Sequence, residues 1–193
     1  MSEAPDDPLA LASRVGLPSD CLYLREAFPR ERWTTDGLHP TARRWLHMHG
    51  GFRAHQAEMG AMIEAWRAGA VDASTLHRAL IPALQQFLQH LDGHHRIESG
   101  HYFPALRQLE PRIAAGIELL DRDHDAIHAH IEAMVRTGRA LHEAVAGRAT
   151  DAGDRVERLA EVLDLAGPQL ARHLYDEEDI VIPLIALRGD PLE

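Results

Sequence analysis

His94, Glu98 and Pro104 recur as His173, Glu177 and Pro183, at i, i+4 and i+10 in both copies, and the two segments align without a gap. This repeat constrains the fold because each copy continues a helical stripe. Leu80, Leu84, Phe87, Leu91, His94, Glu98 and His101 follow alternating steps of four and three, and so do Leu170, His173, Glu177, Ile180 and Leu184. That is the spacing of one buried helix face, and both faces turn polar partway along. Trp45, His49, Phe52, Gln56, Met59, Ile63 and Trp66 form a third stripe; Ile117, Leu120, His124, Ile127 or His128, Ile131 and Met134 form a fourth. A near-repeat pairs His49 with His124 and Phe52 with Ile127. Each of the four stripes puts a histidine inside.

Turn signals at Gly69 to Asp72, around Glu110-Pro111 and at Gly147 to Gly153 separate the stripes. Helices are expected over about 41–68, 72–109, 111–146 and 151–187. Pro82 and Pro168 fall inside two of them and should kink or interrupt the helix, whereas Pro111 sits at a helix start, where its missing N–H costs nothing. Short connections between long amphipathic helices make antiparallel neighbours. The expected fold is all-α, an up-down-up-down four-helix bundle over residues 41–193. Residues 1–40, with Pro5, Pro8, Pro18, Pro29, Pro40 and the turn signal Asp36-Gly37, read as an N-terminal arm packed on that bundle, with Trp33 as a candidate anchor.

At 193 residues the chain has room for one core, not two. No stretch approaches the roughly 18 apolar residues a membrane helix needs, and the acidic start MSEAPDD lacks the basic and apolar regions of a signal peptide. Cytoplasmic residence is the expectation. The net charge of −10, with all 20 bases arginine, argues against nucleic acid or an anionic membrane as partner. One cysteine, Cys21, builds neither a disulfide nor a cysteine-rich metal site. A metal would therefore be held by carboxylates and by some of the 14 histidines.

His-x-x-x-Glu suits that chemistry because i and i+4 lie one above the other on a helix, so imidazole and carboxylate can bind one metal or bridge two. Two such pairs on core faces, with His124-x-x-x-His128 on a third helix, form a constellation. A buried, ionised carboxylate without compensation costs several kcal/mol, which a metal at Glu98 and Glu177 would offset. A rise of about 1.5 Å per residue puts His49 roughly 28 Å and His94 roughly 33 Å from the turn joining their helices, so they can meet. His55 lies roughly 9 Å nearer that turn and is the poorer candidate, and His47 faces away. His39, His77, His90, His130 and His142 are assigned to the surface or turns. His95 and His101 stand beside the site as packing residues or hydrogen-bond donors, Tyr102 and Tyr175 are read as packing, and Cys21 as structural.

On these residues the chain resembles the hemerythrin-like family, or HHE cation-binding domains, over about residues 41–187. The resemblance implies a metal set of His49, His94, Glu98, His124, His128, His173 and Glu177. It further implies two iron ions in an oxo- or hydroxo-bridged non-haem centre, with manganese and zinc second to iron, and reversible oxygen binding with reduction to the peroxide level. True hemerythrins place the last acid one residue later as Asp; here Glu177 is followed by Glu178, and the internal repeat favours Glu177. The longer gap between Glu98 and the third helix is more like the broader bacterial members than the compact oxygen carriers.

The functional expectation is a binding module for oxygen, nitric oxide or peroxide, for sensing, storage or stress response. Five histidines favour it, because neutral imidazoles stabilise ferrous iron. An enzyme of peroxide or nitric oxide detoxification or of iron-centre repair, and an iron-responsive regulatory bundle, are the alternatives. The repair members carry paired cysteines in an N-terminal segment, where this chain has Cys21 alone.

Overall fold

The computed structural model describes residues 7–34 and 37–193. Pro5, and Asp36 of the Asp36-Gly37 turn signal, lie outside the described residues. All regular structure among the described residues is helical: α1 (Tyr23–Ala27), α2 (Pro40–Arg67), α3 (Ala73–Ile97), α4 (Phe103–Leu109), α5 (Ala114–Ala146) and α6 (Ala152–Arg188), with short 3-10 turns at Ser19–Cys21, Arg30–Arg32 and Pro111–Ile113. None of the described helices is long and apolar enough to cross a membrane.

The long helices fall close to the expected bounds, with local exceptions. Neither Pro82 nor Pro168 interrupts its helix, since α3 and α6 run through them. The second expected helix is instead broken in winding at Glu98–Tyr102, a π-turn closed by the Phe103 N–H donating to the Glu98 carbonyl. The other copy of the repeat, through Pro183, stays within α6.

Helix ends are set by local chemistry. α2 stops in a Schellman motif: Gly69, at φ 71°, donates to the Trp66 carbonyl and Ala70 to that of Ala65. Asp72 then caps α3, its carboxylate accepting from the Thr75 N–H at 2.7 Å. The same motif ends α5, but the left-handed residue is Arg148, at φ 53°, rather than the neighbouring Gly147.

The chain divides into two compact units. The first comprises Met1–His49, Arg96–Ala126 and Gln169–Glu193. Its core joins Cys21, Leu24, Phe28, Trp33 and Leu38 of the N-terminal segment to Trp45, Phe103, Leu106, Ile113 and Ile117, and to Ile180–Ile185 of α6 apart from Pro183. Each such side chain contributes roughly 1.5–3 kcal/mol by leaving water. From Asp176 to Ile185 every residue of α6 is buried, so this stretch is covered on all faces. The second unit comprises Gly50–His95 and Ile127–Pro168. Its buried residues include Phe52, Met59, Ile63, Leu80, Leu84 and Phe87, with Phe52 edge-on to Phe87.

Candidate metal centre

Three buried histidines of the first unit share one arrangement. His49 on α2 has Nδ1 3.1 Å from Glu178 Oε1 and Nε2 3.4 Å from Glu177 Oε1. His173 on α6 has Nδ1 3.3 Å from Asp123 Oδ2 and Nε2 3.2 Å from Glu177 Oε2. His124 on α5 has Nδ1 2.9 Å from Ser99 Oγ, which donates to Asp121, and Nε2 3.5 Å from Glu98 Oε2. Each ring is thus gripped at Nδ1 and turns Nε2 toward Glu98 or Glu177. An outer partner on one nitrogen fixes the tautomer that leaves the other free to bind a cation. Trp45, one turn before His49, donates its indole N–H to Glu177, and Phe103 stacks on His124 with centroids 5.2 Å apart.

Helix phase and the π-turn supply the positions. His173 and Glu177 face the same way because they are four apart on α6. Glu98 opens the π-turn, a winding common at functional sites. His94 and His95 precede Glu98 by four and three residues, so both neighbour it on the helix surface. Within the first unit the ligand atoms of His49, Glu98 and Glu177 all lie within 4.8 Å of one another, and so do those of His124 and His173.

Asp176, Glu177, Glu178 and Asp179 are four consecutive acids, all buried. The N-terminal segment compensates three of them. Buried Arg14 bonds Asp176 at 2.9 Å and clamps Asp123 through both terminal nitrogens. Arg25 pairs with Asp179 at 2.7 Å, and Arg30 reaches Asp179 at 2.8 Å and Glu178 at 3.3 Å. Glu177 instead takes the Trp45 indole and the two histidines.

Burial opposes charge on all these groups, and their neighbours decide the outcome. His49 is disfavoured as a cation by burial, but Glu177 and Glu178 outweigh this and raise it to about 9. Glu177 is pushed up by burial and held well below the usual carboxylate range by His49 and His173. Glu98, buried and facing the Glu177 charge, is pushed well above that range. His124 is lowered to about 4 by burial and by His173. A divalent cation held here would compensate both carboxylates together.

His128 does not join the cluster. Ile127 takes the inward position, and His128 lies with its side chain 57% exposed beside Asp92 and Glu132. The stripe from His124 left Ile127 or His128 open; at about 100° per residue only one of them continues a straight face, and the apolar one does. His95, read from the sequence as a packing residue or hydrogen-bond donor beside the site, is buried three residues before Glu98. His55 is half-buried, and His47 and His101 are exposed. Tyr102 packs edge-on to Trp45 at 4.9 Å. Tyr175 is not a packing residue: it is 40% exposed and carries the Arg30 guanidinium 3.7 Å from its ring centroid. Cys21 is buried, and burial pushes its thiol up, with Asp20 adding to the shift.

A cavity of about 910 Å³ lies between the N-terminal segment and α5, lined by Leu9, Pro18, Cys21, Leu119, Ser99 and His124 among others. It brings space for small molecules to the rim of the His124 ring.

Buried imidazole nitrogens and carboxylate oxygens, presented from helices and held by outer partners, define a helical cation-binding module. The sequence pattern of the Hemerythrin HHE cation binding domain matches residues 41–185, and the chain belongs to that family. Neither the curated proteins nor the solved structures yield a match.

Proposed function

We propose that this chain is a cytoplasmic non-haem di-iron protein, built as an up-down-up-down four-helix bundle, that binds oxygen, with nitric oxide or peroxide as related ligands, for sensing, storage or stress response. The observation that carries this reading is the convergence of three Nε2 atoms on Glu98 and Glu177, each ring gripped at Nδ1. His49, His94, His95, His124 and His173 with Glu98 and Glu177 are the proposed ligands, His95 standing where the family resemblance offered His128. Imidazole and carboxylate donors in this proportion fit iron. Two ferrous ions held there would supply an open coordination position and the electrons for reversible oxygen binding.

The chain's own contribution is to hold and shield. Glu178, Asp123 and Ser99 fix the three rings, Trp45 orients Glu177, and Phe103 and the buried stretch of α6 keep bulk water from the carboxylates. The cavity beside His124 supports entry of a small ligand while the N-terminal segment covers the rest. Histidine-rich ligation favours reversible binding over oxygen cleavage.

The test is metal content per chain on protein purified without added metal, with the visible spectrum followed through anaerobic reduction and return to air. About two irons and a band that returns reversibly are expected. Glu98→Ala and Glu177→Ala should each release at least one metal; two tightly held metals in both variants would refute the ligand assignment. Irreversible oxidation on return to air would move the reading to an enzyme.

A further inference from the structure

In the second compact unit a groove of about 540 Å³ runs between α3 and α5, within the size range of small-molecule sites. Its floor is apolar, built from Ile81, Leu84, Leu88 and Met134, with Val135, 44% exposed, as a wall. Gly138 makes the space: a Cβ there would stand 3.2 Å from Leu84 Cδ2 and 3.7 Å from Ile81 Cδ1. The rim is cationic. Arg78 and Arg139 line the groove at one end with His77 and His142, and no acid lines it.

The two arginines are available. Arg78 donates to Thr75 Oγ1 at 3.0 Å and feels the Asp72 charge only from beyond ion-pair distance, and among the described residues neither guanidinium forms an ion pair with a carboxylate. This stands out in a chain with 30 acids to 20 arginines, where Arg67 in the same unit holds three acids at once. His77 Nε2 lies 3.0 Å from His142 Nδ1, so this pair offers a further N–H at the rim. Burial, and then His142 and Arg78, lower the pKa of His77.

We propose that this groove binds a small amphiphile with one carboxylate head and an unbranched apolar tail, the tail on the Leu84–Leu88–Met134 floor and the head between Arg78 and Arg139. Charge complementarity selects the head: two guanidiniums outside ion-pair contact with any acid match a single carboxylate bidentately, and an uncharged tail alone would leave them unused. The site uses none of the residues proposed to hold metal, so its success or failure is separate from that reading.

The experiment is calorimetric titration of the full-length, metal-loaded protein with decanoate, beside decanol and acetate. Decanoate should bind one per chain, acetate not measurably, and decanol about tenfold or more weaker, the worth of one charge-assisted hydrogen bond. Arg78→Gln and Arg139→Gln, both at exposed positions, should each weaken decanoate about tenfold and leave decanol unchanged. Gly138→Leu should abolish both by filling the floor, with circular dichroism reporting that the helices persist. Equal binding of decanol and decanoate, or decanoate binding untouched in both arginine variants, would overturn the proposal. So would a decanoate-insensitive dimer whose contact the Gly138→Leu variant breaks, which would make a second copy the occupant.

Discussion

Asp123 Oδ2 lies 3.3 Å from His173 Nδ1, and the same carboxylate is clamped by Arg14. The pairing carries a constraint from the N-terminal segment to a proposed metal ligand through one intermediate. Carboxylates behind metal-binding histidines fix ring orientation and raise basicity, and their loss typically costs about 10–100-fold in metal affinity. Arg14 acts one step further out, as a positioning residue.

Arg14→Ala should therefore do two measurable things. Its side chain is 1% exposed and its partners 3% and 2%; removal leaves Asp123 with His173 alone while Asp176 keeps Arg172 at 2.5 Å, so the loss should fall toward the lower end of the about 3–5 kcal/mol for breaking a buried pair. It should also lower metal affinity by up to about tenfold, the small end of the range for an outer-partner loss. Thermal unfolding reads the first and chelator competition the second. A lowered Tm with an unmoved chelator midpoint would confine Arg14 to holding the segment down.

His95 and His128 separate the proposed ligand set from the one that family resemblance implies. His128→Ala, at an exposed position, should leave metal content unchanged and stability within about 0.5 kcal/mol. His95→Ala should lose metal or weaken it markedly. Metal analysis of the two variants, purified side by side, decides: loss in His128→Ala with retention in His95→Ala would restore the sequence-based assignment.

These two histidines also show where the sequence stops being legible. Long helices, their turns and the inward histidines on each are readable because a period of 3.6 and the Gly and Pro punctuation are local signals. The choice between Ile127 and His128 is not, since either continues the stripe within the tolerance of helix phase and only packing selects. The π-turn at Glu98–Tyr102 is equally silent: its sequence neighbour in the repeat, around Glu177, winds as ordinary α-helix. Of the four buried acids from Asp176 to Asp179 the stripe places only Glu177 inside, and the N-terminal arginines that compensate the other three lie some 150 positions earlier. Long-range charge pairing leaves no periodic trace, and it gives the N-terminal segment a role that its proline content does not suggest.

His77 gives the protein an acid-sensitive element away from the metal cluster. Its folded pKa lies below the ordinary 6.5, through burial and then the His142 and Arg78 charges, with Arg139 on α5 adding to the cationic surroundings. The unfolded chain therefore binds this proton more readily, so the contribution is fully present above pH 6.5 and is lost as pH falls through the folded value. Tm measured from pH 7.5 to 5 should drop less in His77→Gln than in the parent chain. Saturating decanoate should shrink the parent's drop, because a carboxylate at the rim favours the protonated ring.

Trp45 offers the sharpest test of how Glu177 is held. The indole N–H donates to Glu177 Oε1, the oxygen that also faces His49 Nε2, while Oε2 faces His173. Trp45→Phe keeps an aromatic ring against Tyr102 and removes that donor. A hydrogen bond to a charged group contributes about 1.5–3 kcal/mol, so the metal-free protein should lose stability on that scale. The metal-loaded protein should lose less, because a cation on Glu177 supplies the missing positive partner. The difference between metal-loaded and metal-free Tm should thus widen in Trp45→Phe. An equal loss with and without metal would mean that the indole serves packing and that Glu177 does not bear the cation.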